Sequence, residues 1–214
     1  MKTLLLFGVS PKKGTGYQVL QLALQQSSEW RCAALVRDVA FAAELNQQGV
    51  QTVVGDATDE SSVKEICRLA GTNTIIVSTL GGSAGAHYLA QRLIIDTAEQ
   101  AGISRMLLVT SLGCGDSWHT MSERAKTAFG HAVREKSLAE VWLQTSKLNY
   151  EILRPGGLSN GDVTGTGKCF YQQEVHGSIH RTELANVIMQ RISASVLDNR
   201  IYAVVDPGLT SNNN

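Results

Sequence analysis

Apolar residues along this chain alternate between two periodicities. Short, nearly continuous apolar runs occur at Thr3–Phe7, Arg31–Val36, Gln51–Val54, Thr74–Ser78, Met106–Thr110 and Tyr150–Leu153, each the length of a strand and bounded by turn-forming residues. Between them the apolar positions recur every three or four residues. Val19, Leu20, Ala23 and Leu24 share one helix face, and Leu89, Leu93, Ile94 and Ala98 share another. Asp59, ahead of Ser62 and Val63, stands as a helix N-cap. The runs TIIVS and MLLVT are apolar on both faces, as central parallel strands are. The alternation predicts an α/β fold, a doubly wound parallel sheet flanked by helices. After Arg154 and Pro155 the pattern breaks. Gly156, Gly157, Gly161, Gly165 and Gly167 crowd together and predict a loop able to fold over a cleft, followed by a helix at Thr182–Ile192 and a strand at Ile201–Val205. The expected organisation is one domain over residues 1–208, with a polar tail at 209–214.

Composition narrows the function classes. The 214 residues are 43% hydrophobic, enough for one sizeable core. Lys+Arg and Asp+Glu number 19 each, so the chain carries no net basic charge to suit a nucleic-acid partner. No apolar run approaches the roughly 20 residues of a membrane span, and Met1 and Lys2 lead into a strand without a signal-peptide pattern. The expectation is a cytoplasmic protein that engages neither nucleic acid nor membrane, as a monomer or homodimer. Cys32, Cys67, Cys114 and Cys169 are too dispersed for a zinc site or a disulfide framework. No metal site is expected.

Chemistry concentrates where the runs end. After the first strand come Gly8, Ser10, Lys12, Lys13, Gly14, Thr15 and Gly16, then a helical segment. That is the form of a strand–turn–helix phosphate cradle, in which glycines permit close backbone approach and helix N–H groups face the pyrophosphate. Its spacing, G-x5-G-x-G, is two residues longer than the common forms, and the lysines stand where a glycine is usual. Arg37 follows the second strand, where an arginine grips a ribose 2′-phosphate and so favours NADP over NAD. Asp56 and Ala57 follow the third strand and suit an adenine edge and face. Ser78, Thr79, Leu80 and Gly81 close the fourth and suit the nicotinamide side. Four successive strand ends thus fit one ligand.

These residues, with LVRD at 35–38, GDATD at 55–59, LLVTSLG at 107–113, REKSLAE at 134–140 and NYEILRPGGL at 149–158, resemble the atypical short-chain dehydrogenase/reductases. That group includes NmrA-like proteins and the flavin and biliverdin reductases. The resemblance implies a Rossmann sheet in the order 3-2-1-4-5-6-7 with a substrate cleft formed by 111–122 and 155–180. It matches Ser111 to the active-site serine, Lys136 to the lysine that holds the nicotinamide ribose, and Arg154 and Pro155 to the strand-end motif, with Pro155 and Gly156 as cofactor contacts. The tyrosine expected four residues before that lysine is replaced by Ala132. Gly157 stands where flavin and biliverdin reductases tend to carry histidine. His119 is a candidate proton donor, and Trp118 a candidate stacking surface for a planar acceptor.

Without a tyrosine acid, alcohol–ketone chemistry is disfavoured. The expected function is NADPH-dependent reduction of a small planar or carbonyl acceptor such as a flavin, quinone or tetrapyrrole. The alternative is a non-catalytic NADP(H)-binding redox sensor of the NmrA-like kind. A nucleotide-sugar epimerase or dehydratase ranks third, because the C-terminal portion is too short for a sugar-nucleotide domain.

Overall fold

The computed structural model describes residues 1–11, 14–81 and 86–209. Five βα-type steps link the strands β1 (Lys2–Phe7), β2 (Trp30–Val36), β3 (Gln51–Val54), β4 (Thr74–Ser78), β5 (Arg105–Val109) and β6 (Asn149–Pro155). The helices between them are α1 (Thr15–Gln25), α2 (Val39–Gln47), α3 (Glu60–Ala70), α4 (Ala86–Gln100) and α5 (Glu123–Gln144), with a short 3-10 helix at Gly115–Thr120. The chain ends in β7 (Gly157–Ser159), β8 (Lys168–Tyr171), β9 (Ser178–His180), α6 (Arg181–Ser193) and β10 (Arg200–Val205).

The main sheet has eight strands in the order β3-β2-β1-β4-β5-β6-β10-β8. All neighbours are parallel except β8, which runs antiparallel to β10 at the edge. The order reverses at β1, which pairs with β2 on one side and β4 on the other. Strand alternation divides the core into two layers. Leu4, Leu6, Ala34, Val36, Ile75 and Val77 pack under α1, α2 and α6, while Leu5, Phe7, Ala33, Leu35, Ile76 and Met106 pack under α3, α4 and α5. Helix starts follow local capping: Asp38 accepts from the Phe41 amide at 2.8 Å, Asp59 from the Ser62 amide at 2.9 Å, and Ser122 from the Ala125 amide at 3.2 Å.

The expected open loop after residue 155 is more structured than its glycines suggest. β7 and β9 form a separate two-stranded parallel sheet, and β8 extends the main sheet. The turn between β7 and β8 is fastened by buried carboxylates. Glu183 accepts from the amides of Thr164, Gly165 and Gly167 at 2.9–3.1 Å, and Asp206 accepts from the hydroxyls of Thr164 and Thr166.

Candidate nucleotide site

A cleft of about 570 Å³ runs along the carboxyl ends of β3, β2, β1 and β4. Gly8, Ser10, Gly14, Thr15, Arg37, Asp56, Ala57, Thr79, Leu80 and Gly81 line it. Residues from four separated segments therefore face one space, as their strand-end positions imply. Lys12 and Lys13 lie outside the described residues.

The turn before α1 is built on glycine for two reasons. Gly8 has φ of +98°, and a Cβ there would stand 2.7 Å from the Thr79 carbonyl carbon; a Cβ on Gly16 would stand 2.6 Å from the Gly8 oxygen. These two glycines let α1 seat against the ends of β1 and β4. Gly14 differs. Among the described residues nothing lies within 4 Å of where its Cβ would be, and it faces the cleft as the N-cap of α1 without a side-chain cap. Next to it Thr15 is only 7% exposed, and among the described residues its Oγ1 has no hydrogen-bond partner. Uncapped helix N–H groups beside an unsatisfied buried hydroxyl fit the phosphates of a dinucleotide.

Arg37 is 79% exposed at the rim, its guanidinium 3.8 Å from the Asp56 carboxylate. The hydroxyl and amide of Thr58 hold Asp56 below the usual carboxylate range, with Arg37 adding to the effect. Asp38, next in sequence, is committed to capping α2. Arg37 is thus free to turn toward a ligand phosphate while Asp56 keeps its charge.

Ser78 does not join this wall. It is fully buried in β4 opposite Phe7, on the α3–α5 side of the sheet, and the cleft begins one residue later at Thr79. Alternation explains the difference, because adjacent residues of a strand face opposite layers.

The candidate catalytic residues cluster at the end of β5. Lys136 Nζ donates to the Thr110 carbonyl at 3.2 Å, and burial pushes its ammonium below the ordinary lysine range. Ser111 follows Thr110 and its hydroxyl donates to the Leu112 carbonyl at 2.9 Å. One turn after Lys136 on α5, buried Glu140 accepts from the Thr110 hydroxyl at 2.6 Å and takes a bidentate pair from Arg154 at 3.0 and 2.7 Å. Arg154 also pairs with Asp116 on the 3-10 helix. This network, which sequence reasoning missed, fixes the strand end that carries Ser111 relative to the helix that carries Lys136. Ala132 occupies the turn of α5 before Lys136 and offers no acid.

Other candidates sit elsewhere. His119 is exposed and lines a second cleft of about 530 Å³, shared with Asp116, Tyr150, Phe170 and Arg200. The Trp118 ring lies against α5, near where a Gly130 Cβ would sit, with Arg134 and Lys126 over it at 5.2 and 5.8 Å. Its expected stacking on an acceptor gives way to packing. Cys114 is fully buried with its thiol pushed up by burial, the opposite of a reactive cysteine. Pro155 is buried with its carbonyl taken by the Leu112 amide, and Gly156 is small because the Gly177 carbonyl approaches to 2.2 Å of its Cβ position. The cleft also gains two residues from the C-terminal third: Leu158, inside the segment expected to border a cleft, and Arg181, which nothing in its local sequence marks.

The signature of the NAD(P)H-binding family matches residues 13–195. The structure is similar to that of ChuY, an anaerobilin reductase from Escherichia coli O157:H7, with 50% identity, a TM-score of 0.93, and 98% of this chain and 99% of that one covered. A Bacillus subtilis protein described as an uncharacterised sugar epimerase, YhfK, is 27% identical over 199 residues, 88% of each chain. Sanguinarine reductase from Eschscholzia californica is 26% identical over 121 residues, 54% of this chain and 43% of that one. With its strand order, glycine turn and strand-end cleft, this chain belongs to the NAD(P)H-binding family, as an atypical short-chain dehydrogenase/reductase.

Proposed function

We propose that the protein is an NADPH-dependent reductase of a planar conjugated acceptor, with a linear tetrapyrrole ahead of flavins and quinones. The observation that carries this reading is a lysine without its tyrosine. Lys136 stands beside the end of β5, while Ala132, one turn earlier, provides no acid for protonating an alkoxide. A conjugated acceptor can take its proton from solvent. The 50% identity to the E. coli anaerobilin reductase over nearly the whole chain supports a tetrapyrrole within that class.

In this reading the N-terminus of α1 and the Thr15 hydroxyl hold the pyrophosphate, with Gly14 allowing close approach. Arg37 takes the 2′-phosphate, and Asp56 and Ala57 meet the adenine. Thr79, Leu80 and Gly81 continue the wall toward the nicotinamide. Lys136 and Ser111 orient the reacting end, with Pro155 and Gly156 closing its far side. When bound, the nicotinamide supplies the two-electron reducing equivalent. Glu140 and Arg154 keep Lys136 and the Ser111 backbone in fixed relation, and burial around Lys136 strengthens its hydrogen bonds by excluding water.

The test follows loss of reduced-nicotinamide absorbance in anaerobic solution with linear tetrapyrroles, flavins, quinones and a panel of ketones and aldehydes. Turnover with tetrapyrroles and none with simple ketones is expected. Binding of NADPH without oxidation by any acceptor would sink the enzymatic reading. Ala132 equally favours a non-catalytic NADP(H)-sensing regulator, which needs the cofactor and no acid. Under that second reading, partner capture from lysate changes between NADPH and NADP while turnover is absent.

A further inference from the structure

Arg181 is the one described cation of the cleft other than Arg37, and its setting is unusual. It opens α6, and α6 leads into β10, which is parallel to β6. The helix therefore runs from the carboxyl edge of the sheet toward the amino edge, as α1 does. Both lie on the same sheet face and contribute to one core cluster, so their N-termini meet side by side at the cleft. A cation at a helix N-terminus faces the positive end of the helix dipole, an unfavourable place. Among the described residues Arg181 forms no ion pair that would offset this; its Nη1 donates to the neutral Asn160 amide oxygen at 2.9 Å. Asn160 directly follows β7, whose Leu158 also lines the cleft.

The space these groups surround is rich in donors and poor in acceptors. The α1 N-terminus has no side-chain cap, and Thr15 Oγ1, nine-tenths buried at the wall of the cleft, has no partner among the described residues. The α6 N-terminus also lacks a side-chain cap. Of the two carboxylates on this wall, Asp38 is taken up by the Phe41 amide and Asp56 by Thr58 and Arg37. Both belong to the β2 and β3 ends, away from α6.

We infer that Arg181 supplies the positive charge for the dinucleotide's pyrophosphate, reaching it from α6 across the N-terminus of α1, while Arg37 serves the 2′-phosphate. This inference rests on the dinucleotide reading of the cleft. It gives the lengthened glycine turn a cation from outside its own segment, on a helix more than 160 residues downstream. It also makes the β7–α6 segment a nucleotide-sensing part of the cleft wall, since Asn160 holds the guanidinium.

The experiment measures Kd for NADPH, NADH and 2′-AMP by calorimetry on wild type, Arg181→Gln, Arg181→Lys and Arg37→Gln. 2′-AMP carries the 2′-phosphate and adenosine without a pyrophosphate. Loss of a charge-assisted phosphate contact in Arg181→Gln weakens NADPH and NADH alike, by about tenfold, with Arg181→Lys recovering part of it. The same variant binds 2′-AMP like wild type. Arg37→Gln behaves in the opposite way, weakening NADPH and 2′-AMP while leaving NADH unchanged. Arg181→Gln with unaltered affinity for both dinucleotides overturns the inference and leaves the dinucleotide reading standing, as does an equal loss of 2′-AMP, which would mark general damage to the cleft. Wild type that binds neither dinucleotide overturns the reading itself.

Discussion

At the scale of single residues, the glycine turn separates packing from binding. Gly16 has no room for a methyl group, because the nearest atom is backbone oxygen of Gly8 at 2.6 Å; Gly14 has open cleft in front of it. Gly16→Ala is therefore expected to cost about 1–3 kcal/mol in denaturant unfolding, by forcing α1 away from β1, and to lose nucleotide affinity with it. Gly14→Ala costs less in unfolding, about 1 kcal/mol or below as a change of N-cap residue, and still weakens NADPH binding, since its methyl occupies space where phosphate approaches. Equal affinity of Gly14→Ala and wild type would remove Gly14 from the site. Residues such as Gly8, Arg37, Asp56 and Thr79 are legible in sequence because each directly follows a recognisable strand, and parallel strands share one functional edge. Ser78 stands one step of alternation before Thr79 and so faces the opposite layer. Arg181 was not legible, because only the packing of α6 beside α1 carries it to the cleft.

At the scale of elements, the segment between β7 and β8 shows how buried carboxylates order a glycine-rich stretch. Asp206 receives the Thr164 and Thr166 hydroxyls and the Gly208 amide, and Glu183 receives three backbone amides of the same turn. Burial raises the Asp206 pKa, but the donors from Thr164, Thr166 and Gly208 outweigh it and hold the carboxyl below its usual 3.8. A depressed folded-state value means that the charged form favours the folded turn. Its contribution is complete above the unfolded-state value and is lost as pH falls through the lower folded value. Amide exchange at Thr164–Gly167, corrected for intrinsic rates, is therefore expected to show strong protection at pH 6 and reduced protection near pH 3. Asp206→Asn, lacking the charge, shows the reduced protection already at pH 6. Undiminished protection of wild type near pH 3 would rule out this strap. The sequence marks the turn by its glycines and threonines, yet its anchors lie about 20 and 40 residues away, beyond the reach of local periodicity. The six parallel strands through residue 155 read clearly because each is a compact apolar run between amphipathic helices; β8, with the sequence KCFY at an exposed edge, carries no such contrast.

At the scale of the whole molecule, the crevice exists because strand order reverses between β2-β1 and β1-β4, sending α1 and α3 to opposite faces and leaving the carboxyl edge open between them. A ligand there touches β1, β2, β3, β4, α1 and α6 together, so its binding energy adds to the stability of the entire domain rather than of one loop. NADPH at a hundredfold excess over its Kd is expected to stabilise the folded state by about 2.7 kcal/mol, which raises Tm by about 5–10 °C for a chain of this size. NADH at the same concentration raises it less, because Arg37 at the rim has no 2′-phosphate to meet. The difference is modest, since Arg37 is 79% exposed and its attraction is screened by solvent. In Arg37→Gln the two nucleotides produce the same shift. The comparison is read by scanning fluorimetry at fixed ionic strength, and it reports on cofactor choice without needing an acceptor. A larger shift with NADH than with NADPH would reverse the assigned preference and move the adenosine ribose contact from Arg37 to the Asp56 carboxylate.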